Sequence, residues 1–342
     1  MKLCRALALS SVLTVAACGE GSAPTPTSFS PSTAAPIATR TPLAAPVAIT
    51  NALVPPAGSI YFGSYVDSSG LLGGATPADT LALEATLGRT LALHMEYQSF
   101  TGIFDGPSLQ ADFANFRVPV VSWNCGAPDA QIVSGQYDST ITLKAQQIKA
   151  YGWPVFLRFF WDPNLPATLL NRADCYNSAD NAGAVFSPSL YVQAWDHVRS
   201  IFSEIGASNV IWVWTYSANP NGTSPQAYYP GPNEVDWVGV DAYDLNDQSF
   251  QATFSSAYNT LLQYGKPIMI TETGADAATQ SSFFSSAAGG LQSSFPQVQA
   301  FLYYDGVDYV TGQNQDWRVT TAAFPQFLGL ADAPYLAASY GH

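Results

Sequence analysis

Two runs of this chain end in a carboxylate at a position where a carboxylate can act. PVFLRFFWDPN, Pro154 to Asn164, is apolar and β-prone and ends in Asp162; KPIMITETG, Lys266 to Gly274, ends in Glu272. Parallel barrels carry their chemistry at the C-terminal ends of their strands. Two carboxyls from different strands, facing each other across one cleft, are what cleavage of a glycosidic bond requires. Of the six glutamates (Glu20, Glu84, Glu96, Glu204, Glu234 and Glu272), only Glu272 closes a strand-like run with a glycine shortly after it. A strand-end Glu can also be a purely structural hydrogen-bond acceptor, so its surroundings decide its reading.

Those surroundings are rich in polar groups that an apolar strand must justify. VDWVGVDAYD brings Asp241 and Tyr243 to the end of the strand before Glu272. A tyrosine there can donate to a neighbouring carboxylate and keep it ionised and aimed. Arg158 lies inside an apolar run four residues before Asp162, with Trp161 between them. A buried guanidinium needs a partner, and a carboxylate in the mouth of the barrel would supply it. A structural ion pair and a functional one are both consistent with this pattern.

The elements that must position these groups are short hydrophobic runs alternating with amphipathic stretches. Strands are expected at SIYFGSY from Ser59, TLALHME from Thr90, VPVVSW from Val118, PVFLRFF from Pro154, NVIWVW from Asn209, DWVGVDA from Asp236, PIMITE from Pro267 and QAFLYY from Gln299. Near-continuous apolar runs suit parallel strands covered on both faces. Helices are expected over 78–87, 108–116, 140–151, 189–205, 249–264, 280–295 and 320–330, with Thr76-Pro77 and Ser187-Pro188 as start signals. Eight strands with intervening helices imply an α/β fold, a single-domain (β/α)8 TIM barrel. Thr215 to Glu234, rich in Pro, Asn and Gly, reads as a long loop over the active face. An open doubly wound sheet is disfavoured, because no glycine-rich phosphate loop follows the first strand.

The N-terminal segment reads as a sorting signal: Lys2 and Arg5, then an apolar run from Leu7 to Ala17, then Cys18 directly after small residues. Residues 1–17 are expected to be a lipoprotein signal peptide, with lipidation at Cys18; an ordinary secretory signal is the alternative. Residues 18–57, mostly Ala, Pro, Ser and Thr, read as a tether, and 58–342 as the catalytic domain. The protein is therefore expected to be exported and lipid-anchored at a bacterial cell surface or envelope, as a monomer. A net charge of −13 with no basic stripe argues against nucleic-acid binding. Low charge with many aromatic residues suits binding of neutral polymers through ring faces. Cys125 and Cys175 fall in loops after neighbouring strands and would form a disulfide in an oxidising compartment. His94, His197 and His342 lack ligand spacing, so neither a metal nor another cofactor is expected.

The order and wording of these segments resemble glycoside hydrolase family 26, the family of exported β-mannanases and related endo-glycanases. The resemblance rests on GRTLALHMEYQSF from Gly88, VVSWN from Val120, the run from Ser134 to Asn164, the run from Tyr191 to Asn219, YYPGPNEVDWVGVDAYD from Tyr228, KPIMITETG from Lys266 and LYYDGVDYVTGQNQDWRV from Leu302. It implies a retaining endo-β-glycosidase acting on a polysaccharide, β-1,4-mannan first. Glu272 would be the nucleophile and Asp162 would stand at the acid/base position, with the two carboxyls about 5–5.5 Å apart. Arg158, Trp161, Asp241 and Tyr243 would support them and the substrate. His94 would contact the sugar, and Trp123, Trp214, Tyr303 and Trp317 would bound the subsites, with Arg318 beside Trp317. The family has Glu where this chain has Asp162, one methylene or about 1.5 Å shorter. Three outcomes stay open: hydrolysis through Asp162, use of another carboxyl such as Glu96, or a catalytically impaired glycan-binding surface lipoprotein.

Overall fold

The computed structural model describes residues 53–70, 74–104, 106–124, 126–165, 187–218, 222–245, 247–308, 315–337 and 340. The signal segment, most of the tether, Cys18, Cys125 and Cys175 lie outside the described residues. Eight strands form the centre: β1 (Ile60–Val66), β2 (Leu93–Gln98), β3 (Val118–Trp123), β4 (Val155–Phe159), β5 (Val210–Ser217), β6 (Trp237–Asp241), β7 (Ile268–Glu272) and β8 (Val298–Asp305). They pair in sequence order, all parallel, and β1 pairs with β8 from Tyr61↔Ala300 to Val66↔Asp305, closing the (β/α)8 barrel.

Helices cover the outside: α1 (Pro77–Leu87), α2 (Pro107–Ala114), α3 (Asp129–Val133), α4 (Asp138–Tyr151), α5 (Pro188–Ile205), α6 (Phe250–Leu262), α7 (Gln280–Ser293) and α8 (Phe324–Ala331). α5 shows how the sequence dictates this layer. Tyr191, Ala194, Trp195, Val198, Ile201 and Phe202 recur at helical spacing and are its buried face. Thr76 opens α1 with a capping box to Asp79. The stretch between β5 and β6 is mostly irregular, broken by a 3-10 turn at Pro225–Tyr228. Among the described residues, the sequence reading missed only short elements: α3, that turn, and the short strands β9 (Val307–Asp308), β10 (Gln315–Asp316) and β11 (Leu336–Ala337).

The core has two layers because barrel side chains alternate between interior and exterior. Leu93, Met95, Val118, Val120, Phe156, Ile211, Val213, Trp237, Met269, Ala300 and Leu302 fill the interior. Phe62, Val121, Leu157, Trp212, Trp214, Val238, Ile270 and Phe301 face outward against the helices. At the floor, β11 joins β1 through Ile60↔Leu336, and the last residues read as tether are held there, with Tyr61 Oη donating to the Val54 carbonyl at 3.1 Å.

Candidate active site at the strand C-termini

The interior set of each strand ends in the residues that form the site. On β4 the set runs from Phe156 to Arg158, which is fully buried. Its Nη1 donates to Glu272 Oε1 at 2.8 Å and to Ser122 Oγ at 2.9 Å; its Nη2 donates to Asp241 Oδ2 at 2.5 Å; its Nε reaches Thr215 Oγ1 at 3.3 Å. One guanidinium thus binds two carboxylates and two hydroxyls from four other strands or their ends. Buried charge survives only when paired this fully.

Glu272 is placed by an irregularity. Simple alternation from Met269 would turn Thr271 inward and Glu272 outward. The β6–β7 register shifts beside Asp241, pairing Val240↔Ile270 and then Asp241↔Glu272. A bulge of this kind re-aims a side chain. Thr271 still faces inward and donates to Asp241 Oδ1, while Glu272 turns in to meet Arg158. Tyr243 Oη donates to Glu272 Oε2 at 2.8 Å, and Tyr97 Oη donates to Oε1 at 2.7 Å. Gly274, two residues on, leaves room for Trp317: a Cβ there would stand 2.7 Å from the indole. That indole packs against Tyr243 with ring centroids 5.0 Å apart.

The electrostatics follow from these contacts. Burial raises the Glu272 carboxyl, but Arg158, with the bonds from Tyr97 and Tyr243, outweighs it and holds the group below the usual carboxylate range. Burial raises Asp241, Arg158 opposes it, and the charges of Asp162 and Glu272 add to the rise; Asp241 therefore stands well above the usual range. Burial would lower Arg158, but the carboxylates around it raise it, so it stays charged.

Asp162 is held by backbone strain after β4. Phe160 and Asp162 both adopt left-handed backbone, with φ of 43° and 59°. Asp visits that region readily, but a bulky Phe does so at a cost. The turn throws Phe160 outward against Tyr191 and brings the Trp161 ring inward to 5.7 Å from the Arg158 guanidinium and 5.2 Å from the Tyr97 ring. Asp162 itself is buried, its N–H donating to the Thr215 carbonyl at 3.3 Å. Its charge bears on both Arg158 and Asp241, as does that of Glu272.

Five residues expected from the sequence lie elsewhere. Trp123, Trp214 and Tyr303 are fully buried in the layer between barrel and helices. Trp123 stacks on Phe100, Trp214 packs on Tyr229 and Tyr264, and Tyr303 donates to the Trp317 carbonyl. They are core, not subsite walls. His94 also faces outward, in a buried chain of charges: its Nδ1 meets Asp112 at 2.9 Å, and Arg117 bridges Asp112 and Glu84 at 2.7 Å each. Glu96 shares that face, beside Gln98; burial pushes its carboxyl up to about 7. The inward residues on the same strands are Ser122, Thr215, Tyr304, Met95 and Tyr97. In each case the residue one place along faces the cleft, because a strand's two faces differ by a single step. The small polar residues Ser122 and Thr215, each two places past an interior valine, were the available signal. Among the described residues no cluster of His, Cys, Asp and Glu could hold a metal.

Residues 179–297 match the family model for glycosyl hydrolase family 26. The chain is 28% identical over 242 residues to Endoglucanase H of Acetivibrio thermocellus, covering 65% of this chain and 25% of that protein. It is 31% identical over 132 residues to a mannan endo-1,4-beta-mannosidase of Bacillus subtilis, covering 38% of this chain and 33% of that protein. The chain thus spans a quarter to a third of the length of these curated relatives. The barrel superposes on the family 26 domain of a Prevotella bryantii endo-beta-mannanase/endo-beta-glucanase with a TM-score of 0.59 at 14% identity, covering 82% of this chain and 90% of that one. The matched segment contains Asp241, Tyr243 and Glu272, and the structural likeness shows that the chain has the (β/α)8 barrel fold of these neighbours.

Proposed function

We propose that the protein is a retaining endo-β-glycosidase acting on a β-linked polysaccharide, with β-1,4-mannan the first substrate and β-glucan the second. The observation that carries this reading is Glu272 at the barrel mouth, held ionised by Arg158, Tyr97 and Tyr243, with Asp162 bearing on the same guanidinium. Glu272 attacks the anomeric carbon while Asp162 protonates the departing glycosidic oxygen. Asp162 then removes a proton from water as the water displaces Glu272. Relatives named for mannan and for glucan hydrolysis support both substrates. The N-terminal sequence supports export, with cleavage before Cys18 and a lipid anchor there, and the domain acts as a monomer.

A second reading is a glycan-binding lipoprotein with an impaired site. It is favoured by Asp162, whose carboxyl is one methylene shorter than Glu and is fixed on left-handed backbone. Misplacement on the order of 1 Å can cost about a hundredfold in rate. Release of reducing sugar from β-mannan, β-glucan and xylan separates the two. Hydrolysis predicts turnover on at least one polymer, loss of it in Glu272→Ala, and a preserved or raised rate in Asp162→Glu. Retardation in a glycan affinity gel, with no turnover by the native protein or Asp162→Glu, would replace the first reading with the second.

A further inference from the structure

The two oxygens of Glu272 are not equivalent. Oε1 accepts from Tyr97 Oη at 2.7 Å and from Arg158 Nη1 at 2.8 Å; Oε2 accepts only from Tyr243 Oη at 2.8 Å. A carboxylate oxygen offers two acceptor positions. Both are taken on Oε1, so among the described residues the open position lies on Oε2. Tyr97 is no loosely placed donor. Its ring lies 5.2 Å from Tyr65, edge-on, 5.2 Å from Trp161 and 6.1 Å from Tyr304, so three aromatic neighbours fix the hydroxyl before any substrate arrives.

Resting on the hydrolase reading above, we propose that Oε2 is the attacking atom of Glu272 and that Tyr97 is a positioning residue which, with Arg158, locks Oε1 out of the reaction. In the first step the C1–Oε2 bond forms as the C1–leaving-group bond breaks, and Asp162 gives its proton to the departing oxygen. Oε1 becomes the ester carbonyl and keeps both its donors. In the second step water attacks C1, its proton passes to Asp162, and the C1–Oε2 bond breaks, returning the electron pair to the carboxylate. Tyr97 stabilises the charge reappearing on that carboxylate, so it acts in both steps. The donor is present across the working pH range, because burial and the adjacent Glu272 charge raise the Tyr97 hydroxyl well above its ordinary value. The groups facing Glu272 are Tyr97 from β2, Arg158 from β4, Asp241 and Tyr243 from β6 and its end, and Tyr304 from β8, with the Asp162 charge acting on Arg158 and Asp241.

The test is Tyr97→Phe, which deletes one hydroxyl and keeps the ring. On the best polymer, kcat is expected to fall about tenfold to a hundredfold with KM little changed. The acid limb of the pH–rate profile should move up by about one unit, because Glu272 loses a donor to its charged form. On aryl glycosides the deficit of Asp162→Asn should shrink as the leaving group improves, and that of Tyr97→Phe should persist. Infrared titration of the Glu272 carboxylate, identified by difference from Glu272→Gln, reads the same bond without turnover. An unchanged acid limb and an unchanged carboxylate titration in a folded Tyr97→Phe protein would overturn the proposal. Absence of turnover in the native protein would overturn the hydrolase reading instead, and the infrared shift would still decide whether Tyr97 holds Oε1.

Discussion

Arg158 concentrates the residue-scale argument. It is fully buried and binds Glu272 and Asp241 together, so removing it leaves two carboxylates facing each other without a counter-charge. Breaking a buried pair in this way costs about 3–5 kcal/mol. Arg158→Met should therefore lower stability to urea by about that amount and abolish sugar release. The pH dependence has a definite sign. Glu272 is depressed in the folded state by Arg158, Tyr97 and Tyr243 against the cost of burial. Its stabilising contribution is complete above its ordinary value of about 4.5 and is lost as pH falls through the lower folded value. Denaturation midpoints measured between pH 3 and 6, the range around that ordinary carboxylate value, should show this acid-side loss in the native protein and a weaker one in Arg158→Met.

At the scale of elements, the end of β7 and the loop after β8 are one unit. Gly274 is needed because the Trp317 indole occupies the space a side chain would take, and Trp317 in turn backs Tyr243. Gly274→Ala pushes the indole or the strand end aside. Overpacking of this kind costs about 1–3 kcal/mol, and here the displacement passes through Tyr243 to Glu272 Oε2. The variant should remain folded, lose about tenfold to a hundredfold in kcat, and show altered Trp fluorescence. The strand register explains why some residues named from the sequence meet at the strand ends and others lie one step away. Arg158, Asp241 and Tyr243 are costly in an apolar run and name themselves. Trp123, Trp214 and Tyr303 look equally at home on either face, and only the pairing of neighbouring strands decides which face is the cleft.

At the scale of the whole molecule, closure and chemistry sit at opposite ends of the barrel. The floor is sealed by the C-terminal segment: the Ile60 N–H donates to the Tyr335 carbonyl at 2.6 Å, Leu336 is buried beside β1, and Arg89 donates to the Leu336 carbonyl at 3.0 Å. Ending the chain at Asp332 removes a buried Tyr and Leu, each contributing about 1.5–3 kcal/mol. At about 2–4 °C per kcal/mol, the melting temperature should fall by at least about 5 °C. The rate per folded molecule on the best polymer should be unchanged, because no residue of the site lies in the deleted segment. A loss of rate at temperatures where the shortened protein is folded would show that the floor and the mouth are coupled.

The sequence by itself determined the eight strands, their order and the closed barrel, because continuous apolar runs separated by amphipathic stretches have few other ways to bury both faces. It also named Glu272, Arg158, Asp241 and Tyr243, since charged and hydroxyl groups at strand ends must be paired. Tertiary structure alone decided the rest. A bulge beside Asp241 turns Glu272 inward against simple alternation, two left-handed residues after β4 bring Trp161 and Asp162 to the mouth, and Tyr97 meets a carboxylate 175 residues away. Each depends on how one strand is registered against its neighbour, and a one-residue step in register exchanges the two faces of a strand.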